Sequence, residues 1–453
     1  MCFPIAMLSS NGLLFLALGA IVGLIVLIAR FKCNAFIALI LASIVVGVGS
    51  GKMSLPGIAT SFQEGVGKTL GFLAMIIGLG TILGKLLAES GAAEVIANRM
   101  VRLLGIKRLD YAIMLVAFLV GISVFFGVGI VLLGPIAFML ARQTKTPILY
   151  LALPLAAGLS TAHGLIPPHP GPMVAIGVIG ADTGKTILWS LLIGLPTALI
   201  TGPFLARWVA PRVPVALGGL GAEASGKGAA PRPPGFALSL FTMLLPVILM
   251  LLATAADVTL KPEDPVRQLA DFVGAPVVAM LIAVLVSFWS FGTHCGLTSA
   301  QILKFSEQCV GPAASIFLVV GAGGGFSKVL EHSGVGKAIA DLALQIPVTP
   351  ILLGWIIAGL LRIAVGSATV AITMAAGLML PIVEARPDTN RELLVLAMGA
   401  GSLIFSHVND SGFWFVKEYL GMSISQTLKT WTVVETGIAV VAISIILTAN
   451  AFL

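Results

Sequence analysis

Long apolar runs recur along the whole chain, and they constrain the fold more than any other feature of the sequence. Residues 13–29 and 236–256 contain no Asp, Glu, Lys or Arg, and each run is long enough to cross a bilayer. Only 10% of the 453 residues are charged, whereas soluble proteins have roughly 25%. Because lipid provides no partners for backbone N–H and C=O groups, such runs must be helical. The composition therefore predicts an all-α polytopic membrane protein.

Two of the apolar stretches are interrupted by polar segments rich in proline, glycine or small residues. The first break, residues 158–172, reads GLSTAHGLIPPHPGP, and the second, residues 401–414, reads GSLIFSHVNDSGFW. Backbone can unwind at membrane depth only where protein or a wet cavity surrounds it. Matched breaks of this kind are typical of the substrate sites of secondary transporters. The pair predicts two broken spans, within residues 148–179 and 391–415.

The two breaks occupy corresponding places in two related halves of the chain. A shift of 243 places ten residues between positions 62 and 97 on identical residues between positions 305 and 340. We therefore predict two transmembrane repeats, residues 1–209 and 236–453. The intervening residues 210–235 are rich in proline, glycine and alanine, which predicts a flexible cytoplasmic linker.

Basic residues indicate how the two halves lie in the membrane. Five of them occur from Lys85 to Arg108, whereas the matching window of the second half, residues 328–351, has two. Lys and Arg accumulate in short cytoplasmic loops, so the first window is predicted inside and the second outside. The two repeats would then have opposite orientations, and both chain ends would face outside.

A long segment with small residues at its middle precedes each break. These segments are residues 111–141, with the tip FFGVGI at 125–130, and residues 350–383, with the tip RIAVGSAT at 362–369. We interpret each as a re-entrant hairpin, and two ordinary spans per segment are the alternative. The predicted fold has about ten full crossings plus two hairpins, or twelve to fourteen membrane segments in all.

The second tip and the second break carry side chains suited to an anionic ligand. Arg362 has a planar fork that matches a carboxylate, and an intramembrane Arg costs roughly 2.5–3.5 kcal/mol, which usually marks a function. The alternatives are an Arg that snorkels to the interface or pairs with Asp410. Asp410 is the one acid in either break and a candidate proton site; a helix cap or a partner for Arg362 are its alternatives. The other predicted substrate contacts of this half are Gly366, Ser367, Thr369, Ser406, His407 and Asn409.

The first break contributes two hydroxyl groups and two imidazoles. Ser160, Thr161, His163 and His169 can all donate and accept hydrogen bonds, and His163 is a second candidate proton carrier. Hydrogen-bonded structural histidines are the alternative interpretation. Together, the two breaks offer the many donors and acceptors that a small anionic polyhydroxy substrate requires.

Several other classes of function have little support in the sequence. The four cysteines show no metal-binding spacing, and no catalytic motif or cofactor motif occurs, so we predict no cofactor and no enzyme activity. An intramembrane enzyme that uses the His and Asp residues is a remote alternative. The net charge of +7 comes mostly from short loops and indicates membrane topology, not nucleic-acid binding.

Three motifs together resemble the gluconate permease family of bacterial proton symporters: STAHGLIPPHPGP at 160–172, RIAVGSATV at 362–370 and SHVNDSGFW at 406–414. The resemblance runs from about Asn11 to the C-terminus. It implies that gluconate or a related sugar acid enters with protons across the bacterial inner membrane. It also implies a homodimeric, elevator-type carrier of the wider ion transporter superfamily. Transport of D-serine or another small hydroxy acid is the alternative. The apolar first tip and the Ala/Gly-rich linker depart from the family pattern and leave the substrate open.

Overall fold

The computed structural model describes residues 8–215, 230–308, 310–345, 348–407 and 410–453. Within these ranges the chain forms helices joined by short turns and no strand, so the all-α prediction is confirmed. Most of the predicted linker, residues 216–229, lies outside the described residues, and so does Asn409.

The first half begins with two spans and a long helix, α1 (Ser10–Ala29), α2 (Ala35–Gly49) and α3 (Leu55–Glu89). Helix α3 starts earlier than its apolar run suggests, because the Ser54 hydroxyl caps it by accepting a hydrogen bond from the N–H of Gly57. It bends by 40° between residues 71 and 74. The half continues through helices α4 (Ala92–Leu104), α5 (Leu109–Gly121), α6 (Phe126–Thr144), α7 (Leu149–Leu165), α8 (Pro170–Ile179) and α9 (Thr183–Leu199). A π-helical turn (Ile200–Phe204) then leads into α10 (Leu205–Val209), and 3-10 turns cover Ile106–Arg108 and Ala210–Arg212.

The second half contains eleven helices within the described residues. It consists of α11 (Phe236–Thr259), α12 (Pro265–Gly274), α13 (Pro276–Ser287), α14 (Ser299–Gln308), α15 (Val310–His332), α16 (Val335–Gln345), α17 (Pro350–Val365), α18 (Ala368–Ala385), α19 (Arg391–Gly401), α20 (Ser411–Leu420) and α21 (Ile424–Asn450). A π-helical turn (Phe288–Gly292) and a 3-10 turn (Thr293–Cys295) follow α13.

Eight helices in the described part of the chain are long and apolar enough to cross a membrane, or nine if the bent α3 counts as one span. The polytopic prediction is therefore confirmed, although this count is below the predicted ten crossings. The difference arises because helices α2, α5 and α17 are apolar but short. Whether the short pairs are re-entrant, and whether the halves are inverted, remain predictions.

Both predicted breaks are present, and proline chemistry explains the first. Helix α7 ends at Leu165, and Pro167 and Pro168 follow without the N–H groups that would continue it. Helix α8 then restarts with Pro170 at its first position, where a missing N–H costs nothing. In the second break, Ser402 to Asp410 separate α19 from α20.

The helices around the two breaks pack against each other, so the two halves of the chain are in contact there. Helix α8 packs against α18 and α19. A Cβ atom on Gly399 would lie 2.4 Å from the carbonyl oxygen of Gly164, so glycine is required for this approach of α19 to α7. Leu403 of the second break also packs directly on Gly164.

Candidate substrate site

Arg362 lies in the last turn of α17 and is almost completely buried, with 3% of its surface exposed. The helix ends four residues later because Gly366 adopts φ +80°, a left-handed conformation that favours glycine, and donates its N–H to the Arg362 carbonyl at 2.9 Å. One guanidinium nitrogen, Nη2, donates to the Asp410 carboxylate. The other two, Nε and Nη1, have no hydrogen-bond partner among the described residues. Arg362 therefore keeps donors available for a ligand.

Asp410 performs both structural roles that its sequence position leaves open. It caps α20, because its Oδ1 accepts a hydrogen bond from the Gly412 N–H at 2.9 Å. Its Oδ2 accepts from Arg362 and from the Ser406 hydroxyl. The carboxylate is buried, and each oxygen has a donor, so it is held as the counter-ion of Arg362.

Helix α21 holds the second break in place through Ser406. The indole Nε1 of Trp431 donates to the Ser406 hydroxyl oxygen at 2.7 Å, and the Thr432 hydroxyl donates to the Ser406 carbonyl. The N–H of Phe405 donates to the Thr436 hydroxyl at 3.3 Å. These bonds satisfy unwound backbone that has no helical partner at membrane depth.

Glu435 is a member of this cluster that the sequence analysis missed. It is the one acid in α21, four residues after Trp431 and therefore on the same helix face, and only 1% of it is exposed. Its carboxyl group lies beside the Ser160 hydroxyl and within electrostatic range of Arg362 and Asp410. One of its oxygens, Oε1, has no hydrogen-bond partner among the described residues. A lone acid inside a 27-residue apolar helix was the available signal.

His163 and His169 lie together, with their ring centroids 4.9 Å apart, beside the ring of Phe125 at the first tip. The His169 imidazole hydrogen-bonds to the Gly121 carbonyl, which fastens the first break to α5. The Nδ1 atom of His163 has no partner in the described part of the chain, and its ring lies within electrostatic range of Arg362. His169 thus has a structural contact, whereas His163 has a free nitrogen near the arginine.

The remaining predicted residues have local contacts. Ser367 caps α18 by accepting from the Val370 N–H at 3.4 Å, and the Thr369 carbonyl accepts from the Thr373 hydroxyl at 2.7 Å. The His407 ring is 3.0 Å from the Ile363 carbonyl, which connects the second break to α17. The methyl group of Thr161 faces Gly194 of α9, and its buried hydroxyl oxygen has no partner among the described residues. Asn409, also predicted to contact substrate, lies outside the described residues.

A small cavity of about 20 Å³ lies beside the first break and is distinct from the Arg362 cluster. It is bounded by α3, the first tip, the start of α8 and Met280 of α13. Its lining is mainly apolar, and the Ser123 hydroxyl within it donates to the Met243 carbonyl at 3.0 Å. Such a lining suits an apolar group better than a polyhydroxy anion, so the Arg362 cluster is the stronger candidate site.

The helices and the buried polar cluster at the meeting point of two broken spans define a multi-pass membrane transporter. The chain belongs to the GntP permease family, whose model, described as GntP family permease, matches residues 12–452. This confirms the family resemblance of the three motifs. The relatives are bacterial permeases and transporters, so the protein is a multi-pass protein of the inner membrane and not an enzyme.

Individual relatives agree with this assignment, and one solved structure shares the fold. A gluconate permease of Pseudomonas aeruginosa is 49% identical over 440 residues, which cover 96% of this chain and 97% of that one. The D-serine transporter DsdX of Escherichia coli is 37% identical and covers 94% of this chain and 95% of its own. The structure of MtrF from Neisseria gonorrhoeae, described as an antimetabolite efflux pump, matches the fold with a TM-score of 0.64 and 12% identity. That match covers 95% of this chain and 97% of MtrF.

Proposed function

We propose that the protein imports gluconate or a related sugar acid together with protons. The observation that carries this proposal is Arg362, a buried guanidinium with one nitrogen on Asp410 and two without partners among the described residues. An unsatisfied buried charge is costly, and a substrate carboxylate would provide the missing acceptors. Relatives named as gluconate permeases support a sugar acid as the ligand.

The hydroxyl groups of the substrate would contact polar residues around the arginine. On the first break these are Ser160, Thr161, His163 and His169, of which Ser160 interacts with Glu435 and His163 with Arg362. On the second half they are Gly366, Ser367, Thr369, Ser406, His407 and Asn409. Asp410 and His163 are the proton carriers proposed from the sequence, and Glu435 joins them as a third ionisable group.

The proposed architecture has inverted repeats, each with a re-entrant hairpin and a broken span. Helices α5 and α17 have 13 and 16 residues, so they are about 20 and 24 Å long and shorter than a hydrocarbon core of about 30 Å. The related glycines Gly158 and Gly401 make the same contact in each half: an added Cβ would lie 2.5 Å from the Met114 carbonyl oxygen and 2.3 Å from that of Trp355. Labelling of single cysteines at Lys107 and Lys337 from each side of the membrane tests the inversion.

The transport mechanism that we propose is alternating access of the elevator type. The hairpins and broken spans would move as one body, which the packing of α8 on α18 and α19 supports. They would move against the other spans. The glycine-rich face of α15 packs closely on α3 and offers a surface for this movement. The cytoplasmic linker at 210–235 and the homodimer stay predictions, and cross-linking in native membranes tests the latter.

Uptake by purified protein in proteoliposomes tests the proposed function directly. We expect labelled gluconate to accumulate when the external pH is lower than the internal pH, and not when the gradient is collapsed. Accumulation that follows a sodium gradient and ignores the pH gradient would reject proton coupling. Recovery of unchanged gluconate from the vesicles separates transport from an enzymatic reaction.

D-serine, or another small hydroxy acid, is the second candidate substrate. It also presents a carboxylate and a hydroxyl group, and a 37% identical relative is named as a D-serine transporter. A competition panel decides between the candidates, since excess unlabelled D-serine should reduce gluconate uptake only if both molecules occupy the site.

A further inference from the structure

We propose that Glu435, and not Asp410, carries the proton that is coupled to transport. This inference rests on the proton symport proposed above, and it assigns a role to a residue outside the three family motifs. Glu435 lies in the middle of α21, where its buried carboxyl group lies beside Ser160 of the first break. It therefore bridges the first break and the helix that holds the second break.

The charges of the cluster point to Glu435 as the group that takes the proton. Arg362 is the cation, and Asp410 and Glu435 are two carboxyl groups within its electrostatic range. Asp410 takes the ion pair, and it also accepts from Ser406 and from the Gly412 N–H. Glu435 has no ion pair among the described residues, and its Oε1 has no hydrogen-bond partner there. Asp410 is therefore held in the ion pair, and Glu435 is the carboxyl group of the cluster that is available to take up and release a proton.

An anionic substrate changes the charge of the site around Glu435. When a substrate carboxylate binds Arg362, it adds one negative charge beside Asp410 and Glu435. The site then has a net charge of −1 if Glu435 is protonated and −2 if it is ionised. Because like charges repel strongly in a buried site, substrate binding and protonation of Glu435 favour each other. The proton would come from the outside solution, reside on a Glu435 oxygen during the crossing and leave to the cytoplasm after the substrate.

The neighbouring titratable groups are poorer carriers. A protonated His163 would lie next to the Arg362 cation, and repulsion between two positive charges opposes it. His169 is tied to the Gly121 carbonyl. The elements packed against α21 carry their other charges near their ends, on residues Lys185, Arg207, Arg391, Glu392, Lys417 and Glu418. Lys429 lies on α21 itself, six residues before Glu435, and is exposed.

The test is Glu435→Gln in proteoliposomes, because glutamine keeps the shape and hydrogen-bonding capacity but cannot carry a proton. A pH gradient of one unit should drive about tenfold accumulation in the wild type at one proton per substrate anion, since one unit is a factor of ten. The variant should show no accumulation. It should still exchange internal for external gluconate at a rate within about threefold of wild type, because exchange needs no net proton movement.

Matched variants separate proton transfer from other roles. Glu94→Gln changes a partly buried glutamate on α4, far from the cluster in sequence, and should accumulate gluconate normally. Glu435→Asp keeps a carboxyl group and should retain part of the accumulation. Asp410→Asn should lose exchange as well as accumulation, because it removes the counter-ion of Arg362.

A pH titration of binding provides an independent readout. Wild-type gluconate binding should tighten as the pH falls, and binding by Glu435→Gln should be tight and independent of pH. Ser160→Ala removes the hydroxyl group beside Glu435, so it should shift the pH dependence of binding. A residue with only a structural role would change neither profile.

The outcomes distinguish this inference from the proposed function. If wild-type protein shows no uptake driven by a pH gradient, the proposed proton symport is wrong. If the wild type does and Glu435→Gln accumulates gluconate equally well, only the role of Glu435 is wrong. The inference is also overturned if a folded Glu435→Gln protein loses exchange as well as accumulation. It is likewise overturned if gluconate binding by this variant still depends on pH.

Discussion

The buried pair of Arg362 and Asp410 allows stability and transport to be separated by mutation. The side chains are 3% and 8% exposed, so neither charge is well solvated when the other is removed. Arg362→Gln leaves the Asp410 carboxylate with only Ser406 and the Gly412 N–H as donors. Breaking a buried pair from one side costs about 3–5 kcal/mol, because the remaining charge is uncompensated. We expect a loss of this size for Arg362→Gln and a similar loss for Asp410→Asn.

The double variant Arg362→Gln/Asp410→Asn should behave differently from the sum of the two. It removes both charges and keeps two amides that can hydrogen-bond to each other, so its stability should return to within about 2 kcal/mol of wild type. Transport should not return, because the guanidinium that would bind the substrate carboxylate is absent. Stability would thus recover while uptake stays at background.

The measurement is unfolding in mixed detergent micelles for all four proteins, together with gluconate uptake in proteoliposomes. The pair of Arg207 and Asp110, joined at 2.9 Å, provides the control, because the Arg207 side chain is 49% exposed. Arg207→Gln should cost no more than about 1 kcal/mol and leave uptake intact. Additive losses in the double variant would refute the pairing argument, and wild-type uptake by Arg362→Gln would refute the role of the guanidinium in binding.

Three further predictions concern the backbone and the packing around the site. Gly366→Ala places a side chain at φ +80° and should cost about 1–2 kcal/mol in unfolding experiments and reduce uptake; a neutral result would contradict a strained turn. Gly399→Ala should be poorly folded on size-exclusion chromatography, because its Cβ would lie 2.4 Å from a facing carbonyl oxygen. Gly127→Ala, with nothing within 4 Å, is the matched control and should elute as wild type. Trp431→Phe loses one buried hydrogen bond and should lower the unfolding free energy by about 1 kcal/mol; an unchanged value would show that the indole N–H is dispensable.

Local chemistry explains why much of the fold is predictable from the sequence. Runs without charge must be helical in lipid, and prolines without N–H groups must interrupt them, so the spans and the first break follow directly. Glycine at position 366 and the polar tip after Arg362 indicate where α17 ends. The first residue of α3 was harder to predict from the sequence, because it depends on a serine cap upstream of the apolar run.

The site was only partly predictable, and its missing member shows the reason. Arg362 and Asp410 stand out because they interrupt apolar sequence, and the structure pairs them. Glu435 lies inside a regular helix with no break or proline, so a search for interruptions passes over it. Both histidines stay predicted substrate contacts, and the structure adds a hydrogen bond between the His169 ring and the backbone of α5 that the sequence did not indicate.

By itself, the sequence determined that this protein is helical, crosses the membrane many times and unwinds twice within it, because those properties depend on residues close together in the chain. Only the tertiary structure decided which polar groups share one buried site. The contact of Ser160 with Glu435, and of Gly164 with Gly399, depends on which faces of distant helices meet. Helical periodicity describes one helix at a time, whereas charge balance in a buried site depends on every helix that surrounds it.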